Sequence, residues 1–112
     1  PQRIEGILCL QPEIAQAMVY GDKRSHLVAL VVPDDVWLRE AGYERNSLEA
    51  TQALKDAIKR VNEQMSNIEK VRHHILADEP FTIENSEMTP TMKVRRVALK
   101  ARYGEALEAL YR

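Results

Sequence analysis

The stretch IAQAMVYGDKRSHLVALVVPDD, residues 14–35, decides the fold because it contains two apolar segments separated by a polar one. Residues 14–20 are mostly apolar, residues 21–26 are polar and begin with glycine, and residues 27–32 form an uninterrupted aliphatic run. Apolar segments of this length, joined by a polar turn, predict a β-hairpin. The continuous aliphatic character of the second segment predicts a strand in the centre of a sheet.

Before the hairpin, the sequence predicts a short helix. Pro1 suits the first turn of a helix, and Ile4, Ile7 and Leu8 recur at a spacing that places them on one helical face. We expect this helix to end near Leu10.

After the hairpin, two more helices are predicted. Asp34 is a typical helix N-cap, and Gly42 is placed to end the short helix that Asp34 starts. We interpret the pair of aspartates here as a cap rather than a metal site. After Asn46 and Ser47, apolar residues at helical spacing predict an amphipathic helix of about five turns: Leu54, Ile58, Val61 and Met65.

The C-terminal third of the sequence predicts strands followed by a helix. Residues 71–77 and 81–83 have strand-like composition, and the polar residues 84–87 predict a turn. From Val97 onward the apolar spacing is helical again, with these residues on one side: Leu99, Tyr103, Leu107 and Leu110. The elements together predict one α+β domain over residues 1–112, in which helices cover a small mixed β-sheet that contains the hairpin.

The composition is that of an ordinary soluble domain. Apolar residues make up 45% of the chain, and the formal net charge of -1 gives no bulk electrostatic reason to expect nucleic acid or an anionic membrane as partner. No apolar run approaches the roughly 20 residues that span a bilayer. The single cysteine, Cys9, suits the cytosol, and its apolar neighbours predict that it is a small core residue.

The usual metal and phosphate signatures are not present in this sequence. Neighbouring residues of an extended segment point to opposite faces, so His73 and His74, with His26 and one thiol, do not predict a zinc site. The four glycines are dispersed and form no phosphate-binding loop. We therefore expect no metal site, and the sequence assigns no cofactor-binding residue.

One segment departs from this background. Residues 87–96 have the sequence EMTPTMKVRR, which places Lys93 and two arginines after a proline-stiffened polar turn and before the last helix. An ammonium group on such a loop can reach outward to a partner. The same composition is also typical of a solvated basic stretch that leads into a surface helix.

Two other classes of protein are compatible with these patterns. A small nucleic-acid-binding module is one, because basic residues cluster around the start of the last helix: Lys93, Arg95, Arg96, Lys100 and Arg102. It would lack the aromatic platform on which single-strand binders stack bases. The second is a protein-interaction domain that uses the apolar stripe between Leu54 and Met65, although a stripe of this kind is more simply explained as core.

The segment Met88–Arg96 resembles the motif near the end of the adenylate-forming superfamily, in which threonine and serine or glycine residues precede a lysine that is followed by an aliphatic residue and basic residues. Pro1–Glu5 looks like the segment just beyond that family's interdomain hinge, and Met18–Asp22 with Leu27–Val32 resembles the hairpin after it. Many members have glycine where this chain has Met92. The Thr-Pro-Thr variant is similar to the branch that activates long-chain fatty acids.

This resemblance implies the C-terminal lid domain of an AMP-forming acyl-CoA synthetase, and it implies that Lys93 is the catalytic residue. Family members join a carboxylate to the α-phosphate of ATP and then pass the acyl group to the thiol of coenzyme A. The lid rotates between the two steps. A lysine inserted by the lid in the first step offsets the repulsion between the anionic carboxylate and the anionic phosphate.

The partners implied by the resemblance are a small-molecule carboxylic acid and an N-terminal domain of the same polypeptide. ATP, coenzyme A and Mg²⁺ would be bound mainly by that N-terminal domain, so we expect the isolated chain to be inactive. The implied location is the cytoplasm, with any membrane association residing outside this chain. A close alternative is an adenylating domain that loads the thiol of a carrier protein instead of coenzyme A.

Overall fold

The computed structural model describes residues 2–21 and 23–111. The helical role predicted for Pro1 and the turn position predicted for Asp22 lie outside the described residues. Seven elements follow one another along the described chain: α1 (Gln2–Leu8), β1 (Ile14–Tyr20), β2 (Leu27–Pro33), α2 (Asp35–Ala41), α3 (Leu48–Asn62), β3 (Val71–Leu76) and α4 (Arg96–Ala109).

The three strands form one mixed sheet in the order β1-β2-β3. β1 and β2 pair in antiparallel orientation as a hairpin, with Met18 opposite Leu30, whereas β2 and β3 pair in parallel, with Ala29 opposite His74. The predicted α+β class, the hairpin and the central position of its second strand are therefore confirmed. A parallel pair needs a long crossover, and α2 and α3 lie within it.

Each face of the sheet carries its own hydrophobic cluster. The first core lies on the side of α1 and α3, and it contains the buried residues Ile4, Leu8, Ile14, Ala17, Val19, Ala29, Val31, Leu54, Ala57, Ile58, Val61 and Val71. The second core lies on the side of α4, and it contains the buried residues Met18, Val28, Leu30, Val32, Ala77, Phe81, Leu99, Tyr103 and Leu107. Alternating residues of β1 and β2 supply both cores, as the period of a strand requires.

The apolar stripe of α3 is buried within this chain. Leu54, Ile58 and Val61 all belong to the first core, and Met65 packs against it from beyond the end of the helix. A helix whose stripe is covered by its own sheet has no apolar face left for a groove or a zipper partner, which argues against the interaction-domain alternative.

Local signals explain where α2 and α3 begin and where α2 ends. The Asp34 carboxylate accepts a hydrogen bond from the backbone N–H of Trp37 (2.9 Å), and Ser47 Oγ accepts one from Ala50 N–H (3.1 Å), so both are N-caps. Gly42 ends α2 with φ at 74°, a left-handed conformation that favours glycine. The predicted Asp34 cap and the predicted end of α2 at Gly42 are confirmed.

The end of α3 was predicted about one turn too late, because a side chain stops the helix at Asn62. The Asn62 amide donates to the carbonyl of Val71 (2.8 Å) and accepts from its N–H (2.9 Å). The Asn62 side chain thus makes the two hydrogen bonds with Val71, the first residue of β3, that a neighbouring strand would otherwise make.

The strand predicted at residues 81–83 is wrong: this stretch is irregular and leads into a turn. The side chain of Gln16 provides the physical reason, since it accepts from Phe81 N–H (2.8 Å) and donates to Phe81 C=O (3.0 Å). One amide side chain thereby replaces the backbone partner that a strand would need. The predicted polar turn over residues 84–87 is confirmed.

The predicted core position of Cys9 is also wrong. α1 ends at Leu8, two residues earlier than predicted, and Cys9 is exposed in the turn that follows. It lines a cleft of about 230 Å³ that also includes Met88 and Met92. Partial burial of the thiol, together with the nearby Glu5 carboxylate, raises the pKa of Cys9, so the thiol is less ionised than a free cysteine.

Candidate functional site

Lys93 lies in a tight turn that its own backbone closes. We call residues 88–94 the Lys93 turn, which Met88 and Val94 close as an isolated antiparallel bridge. Within it, Thr89 N–H donates to Lys93 C=O (2.8 Å), and Lys93 N–H donates to Thr89 Oγ1 (3.1 Å). The backbone on either side of Lys93 is thus held from both directions.

Met92 occupies a left-handed backbone conformation immediately before Lys93. Its φ is 65°, and its N–H donates to Thr89 C=O (2.8 Å). A side chain in this region carries a steric cost that glycine avoids. The turn geometry therefore gives a physical reason for the glycine that the resembling family often has at this position, and Met92 itself is 64% exposed.

The Lys93 side chain points into open space. The residue is exposed, and no carboxylate within the described residues pairs with its ammonium group. A lysine with a fixed backbone and an unpaired head group can present its charge to an anion that approaches from outside.

The base of the Lys93 turn is tied to the body of the domain. Arg95 N–H donates to Glu87 C=O (2.9 Å), and Arg95 Nη1 donates to Ser86 C=O (3.1 Å). Met88 and Val94 pack against the second core. The turn therefore has an anchored base and an exposed apex.

The arginines that follow Lys93 are occupied by partners within the chain. Arg96 bonds the Glu5 carboxylate (2.5 Å) and the Val19 carbonyl (3.2 Å), and the same carboxylate accepts from Val19 N–H (2.6 Å). Arg102 pairs with Glu87 and with Glu79, each at 2.9 Å. These contacts pair two of the five basic residues of the cluster with carboxylates, which weakens the electrostatic basis of the nucleic-acid alternative.

These carboxylate partners were not foreseen from the sequence. Glu5 and Arg96 are separated by 91 positions, and no periodic pattern connects residues so far apart. Glu87 was predicted to belong to a polar turn, yet it is buried. The only available sequence signal was its place next to the Lys93 segment.

The histidines lie apart from the Lys93 turn. His26 and His73 approach edge to face at 6.0 Å between ring centroids, and His26 also packs on the ring of Tyr111. Burial, followed by the charge of Lys55, lowers the pKa of His74. Among the described residues, no group of three or more histidine, cysteine, aspartate or glutamate side chains could hold a metal ion.

No helix in the described part of the chain is long and apolar enough to cross a membrane.

Residues 1–112 match the family described as the AMP-binding enzyme C-terminal domain. Carboxylic acid reductase from Segniliparus rugosus is 37% identical over 112 residues, and the match covers 97% of this chain and 9% of the reductase. Long-chain-fatty-acid–CoA ligase 1 from Cavia porcellus is 34% identical over 125 residues, covering 99% of this chain and 18% of the ligase. The chain therefore spans less than a fifth of the length of either relative.

Solved structures agree with this match. The A-PCP didomain of the Segniliparus rugosus carboxylic acid reductase, in complex with AMP, superposes with a TM-score of 0.81 at 35% identity, covering 98% of this chain and 15% of that one. The adenylation domain of a carboxylate reductase from Mycobacterium chelonae superposes with a TM-score of 0.83 at 31% identity, covering 98% of this chain and 17% of that one.

Proposed function

Because this chain belongs to the family of AMP-binding enzyme C-terminal domains, we propose that it is the lid of a longer adenylate-forming ligase and that Lys93 is the catalytic residue of its adenylation step. One observation carries the proposal: Lys93 is exposed, without a carboxylate partner in the described residues, on a turn whose backbone is hydrogen-bonded from both sides. A surface lysine of a solvated stretch has no need of such a turn.

The chemistry of adenylation explains why an unpaired lysine is required. An anionic carboxylate must attack the anionic α-phosphate of ATP, and a positive charge between the two groups lowers that barrier. The Lys93 ammonium can form bonds to both anions because, within residues 2–21 and 23–111, no carboxylate competes for it. A fixed turn also limits the entropy lost when the reacting groups are aligned.

The described residues offer no group of ligands suited to Mg²⁺, and they contain no phosphate loop. We therefore derive no step through the metal, and we assign the binding of Mg²⁺, ATP and the acyl group to the remainder of the enzyme. A free, exposed Cys9 is compatible with the cytoplasmic location that we propose for that enzyme.

For the substrate, we propose a long-chain fatty acid, with coenzyme A as the acyl acceptor. Support comes from the fatty-acid CoA ligase of Cavia porcellus, which aligns over nearly the whole chain, and from the Thr-Pro-Thr sequence at Thr89–Thr91. The alternative acceptor is the thiol of a carrier protein. That alternative is favoured by the 37% identity to a carboxylic acid reductase, whose matching structure is an A-PCP didomain.

The test uses the full-length enzyme and two separate half-reactions: carboxylate-dependent pyrophosphate exchange, and thioester formation from supplied acyl-adenylate. In the Lys93→Ala variant we expect exchange to fall on the order of 10²-fold or more, because one preorganised charge is lost. Thioester formation should survive. Offering coenzyme A or a carrier protein as acceptor in the second assay separates the two alternatives.

Lys100→Ala is the matched control, since it removes a second exposed lysine from the same region of the chain. Exchange should be unchanged in this variant. If Lys93→Ala also left exchange unchanged, Lys93 would be an ordinary surface lysine and the proposed function would be wrong.

A further inference from the structure

We propose that the ion pair between Glu87 and Arg102 positions the Lys93 turn for adenylation, with Arg102 as a positioning residue that acts through Glu87. This inference rests on the proposed role of Lys93. It assigns a function to a buried carboxylate and its arginine partner, which the catalytic proposal itself does not use.

Glu87 is unusual because it lies in a polar turn and its side chain is nevertheless buried. Its side chain is only 4% exposed, and Oε2 accepts from Arg102 Nη1 at 2.9 Å. Oε1 is buried and has no hydrogen-bond partner in the described part of the chain. A buried carboxylate with one unsatisfied oxygen depends heavily on its remaining partner, because an unpaired charge is costly to hold away from water.

The backbone of Glu87 connects this charge to the Lys93 turn. Glu87 C=O accepts from Arg95 N–H (2.9 Å), so the two residues that flank the turn are bonded to each other. On its other side, Glu87 N–H donates to Thr82 C=O (3.1 Å) and to Asn85 Oδ1 (3.0 Å). The residue that carries the buried carboxylate therefore also forms the base of the turn.

Arg102 fixes that side chain from α4. Its second nitrogen, Nη2, bonds Glu79 at 2.9 Å, and its guanidinium lies 5.0 Å from the ring centroid of Tyr103, a residue of the second core. Tyr103 in turn accepts from Asp78 N–H through its hydroxyl (3.1 Å). Hydrogen bonds to Glu87 and then Glu79 raise the pKa of Arg102, so its charge is permanent. The fork geometry of an arginine is needed to reach both carboxylates at once.

The consequence for catalysis follows from geometry. Without Arg102, the Glu87 carboxylate must leave its buried site to reach water. We expect the backbone of Glu87, at the base of the turn, to shift with it. A displacement of about 1 Å at a reacting group can cost on the order of 10²-fold in rate. The Lys93 ammonium would keep its charge and lose its alignment.

The experiment compares Arg102→Gln with wild type in the full-length enzyme, using the same two half-reactions and the melting temperature. We expect the kcat of pyrophosphate exchange to fall about 10- to 10²-fold, with thioester formation from supplied acyl-adenylate unchanged. Arg60→Gln is the matched control, because Arg60 also pairs with a mostly buried carboxylate, Glu13, but does so on the side of the first core. It should lower the melting temperature without lowering exchange.

A double variant, Glu87→Gln with Arg102→Gln, guards against the possibility that the single variant fails to fold. It removes the unpaired buried charge, so the side chain at position 87 can stay in its site, and we expect both the melting temperature and exchange to recover toward wild type. Exchange that stays low although the melting temperature recovers would overturn the inference, as would equal losses of Arg102→Gln in both half-reactions.

The two proposals fail differently. If Lys93→Ala leaves exchange intact, the proposed function is wrong, and the inference fails with it. If Lys93→Ala abolishes exchange while Arg102→Gln behaves like Arg60→Gln, only the positioning role is wrong.

Discussion

The helices α3 and α4, which cover the two faces of the sheet, are held at their starts by different kinds of contact. On the face of the first core, local features of the sequence specify α3: Ser47 caps its first turn, and an apolar stripe runs along one side. On the face of the second core, α4 begins at Arg96. Its N-cap residue, Arg95, makes no side-chain cap hydrogen bond, and Arg96 bonds Glu5 near the opposite end of the chain. A residue adjacent in the sequence therefore holds the start of α3, whereas a residue distant in the sequence holds the start of α4.

This difference matters because the Lys93 turn belongs to the second face. Its base packs on the second core, and its flanks are held by Glu87 and Arg95. A segment that depends on distant contacts is more easily shifted as a unit than a helix with local caps. We infer that damage to the first face reduces stability alone, whereas damage to the second also reduces adenylation.

The largest expected effect comes from truncating one fully buried leucine on each face. Leu54→Ala and Leu99→Ala should each cost about 2–5 kcal/mol of unfolding free energy, because both leave a cavity in a packed core. Urea unfolding of the isolated chain measures this. In the full-length enzyme, exchange per folded molecule should fall only for Leu99→Ala, because Leu99 belongs to the second core, against which Met88 and Val94 of the Lys93 turn pack. An equal loss of exchange in both variants would remove the distinction between the faces.

A smaller effect is expected at the starts of the two helices. Ser47→Ala should cost about 1 kcal/mol, since it removes the side-chain cap of α3. Arg95→Ala should cost less, about 0.5 kcal/mol, because the exposed Arg95 side chain caps no helix N–H and loses only its hydrogen bond to the Ser86 carbonyl. Thermal or urea unfolding compares the two, and a larger cost for Arg95 than for Ser47 would contradict the proposed difference.

The smallest effect is expected at Met92, where the second face carries local strain. Met92→Gly should stabilise the domain by less than about 1 kcal/mol, because glycine tolerates the observed φ of 65° while it loses more entropy on folding. Met92→Val, a β-branched residue, should destabilise it by a comparable amount. If both variants destabilised the domain equally, the positive φ of Met92 would make no measurable contribution to the free energy of unfolding.

The same contrast explains how much could be predicted from the sequence. The hairpin, the Asp34 cap and the stripe of α3 were all visible as local patterns, and the structure confirms them. The failures occurred where a single polar side chain replaces a backbone partner. Gln16 satisfies Phe81 in this way, and Asn62 satisfies the first residue of β3.

The candidate site was foreseen only in part. The sequence singled out Lys93 through its motif, and its role as the adenylation lysine stays a prediction. The burial of Glu87 and its pairing with Arg102 were not visible, because glutamate in a polar turn is ordinarily solvated. Residues that hold a site in place produce no periodic pattern in the sequence when their partners lie on other helices, strands or loops.

The parallel pairing of β2 with β3 has a consequence for the order in which the domain assembles. The β1–β2 hairpin closes a short connection, whereas β3 can join only after the long crossover through α2 and α3 has been brought back to the sheet. Closing that larger loop costs more entropy and slows folding. We therefore expect the hairpin to form early, and the second face, with the Lys93 turn, to take its final shape last during synthesis.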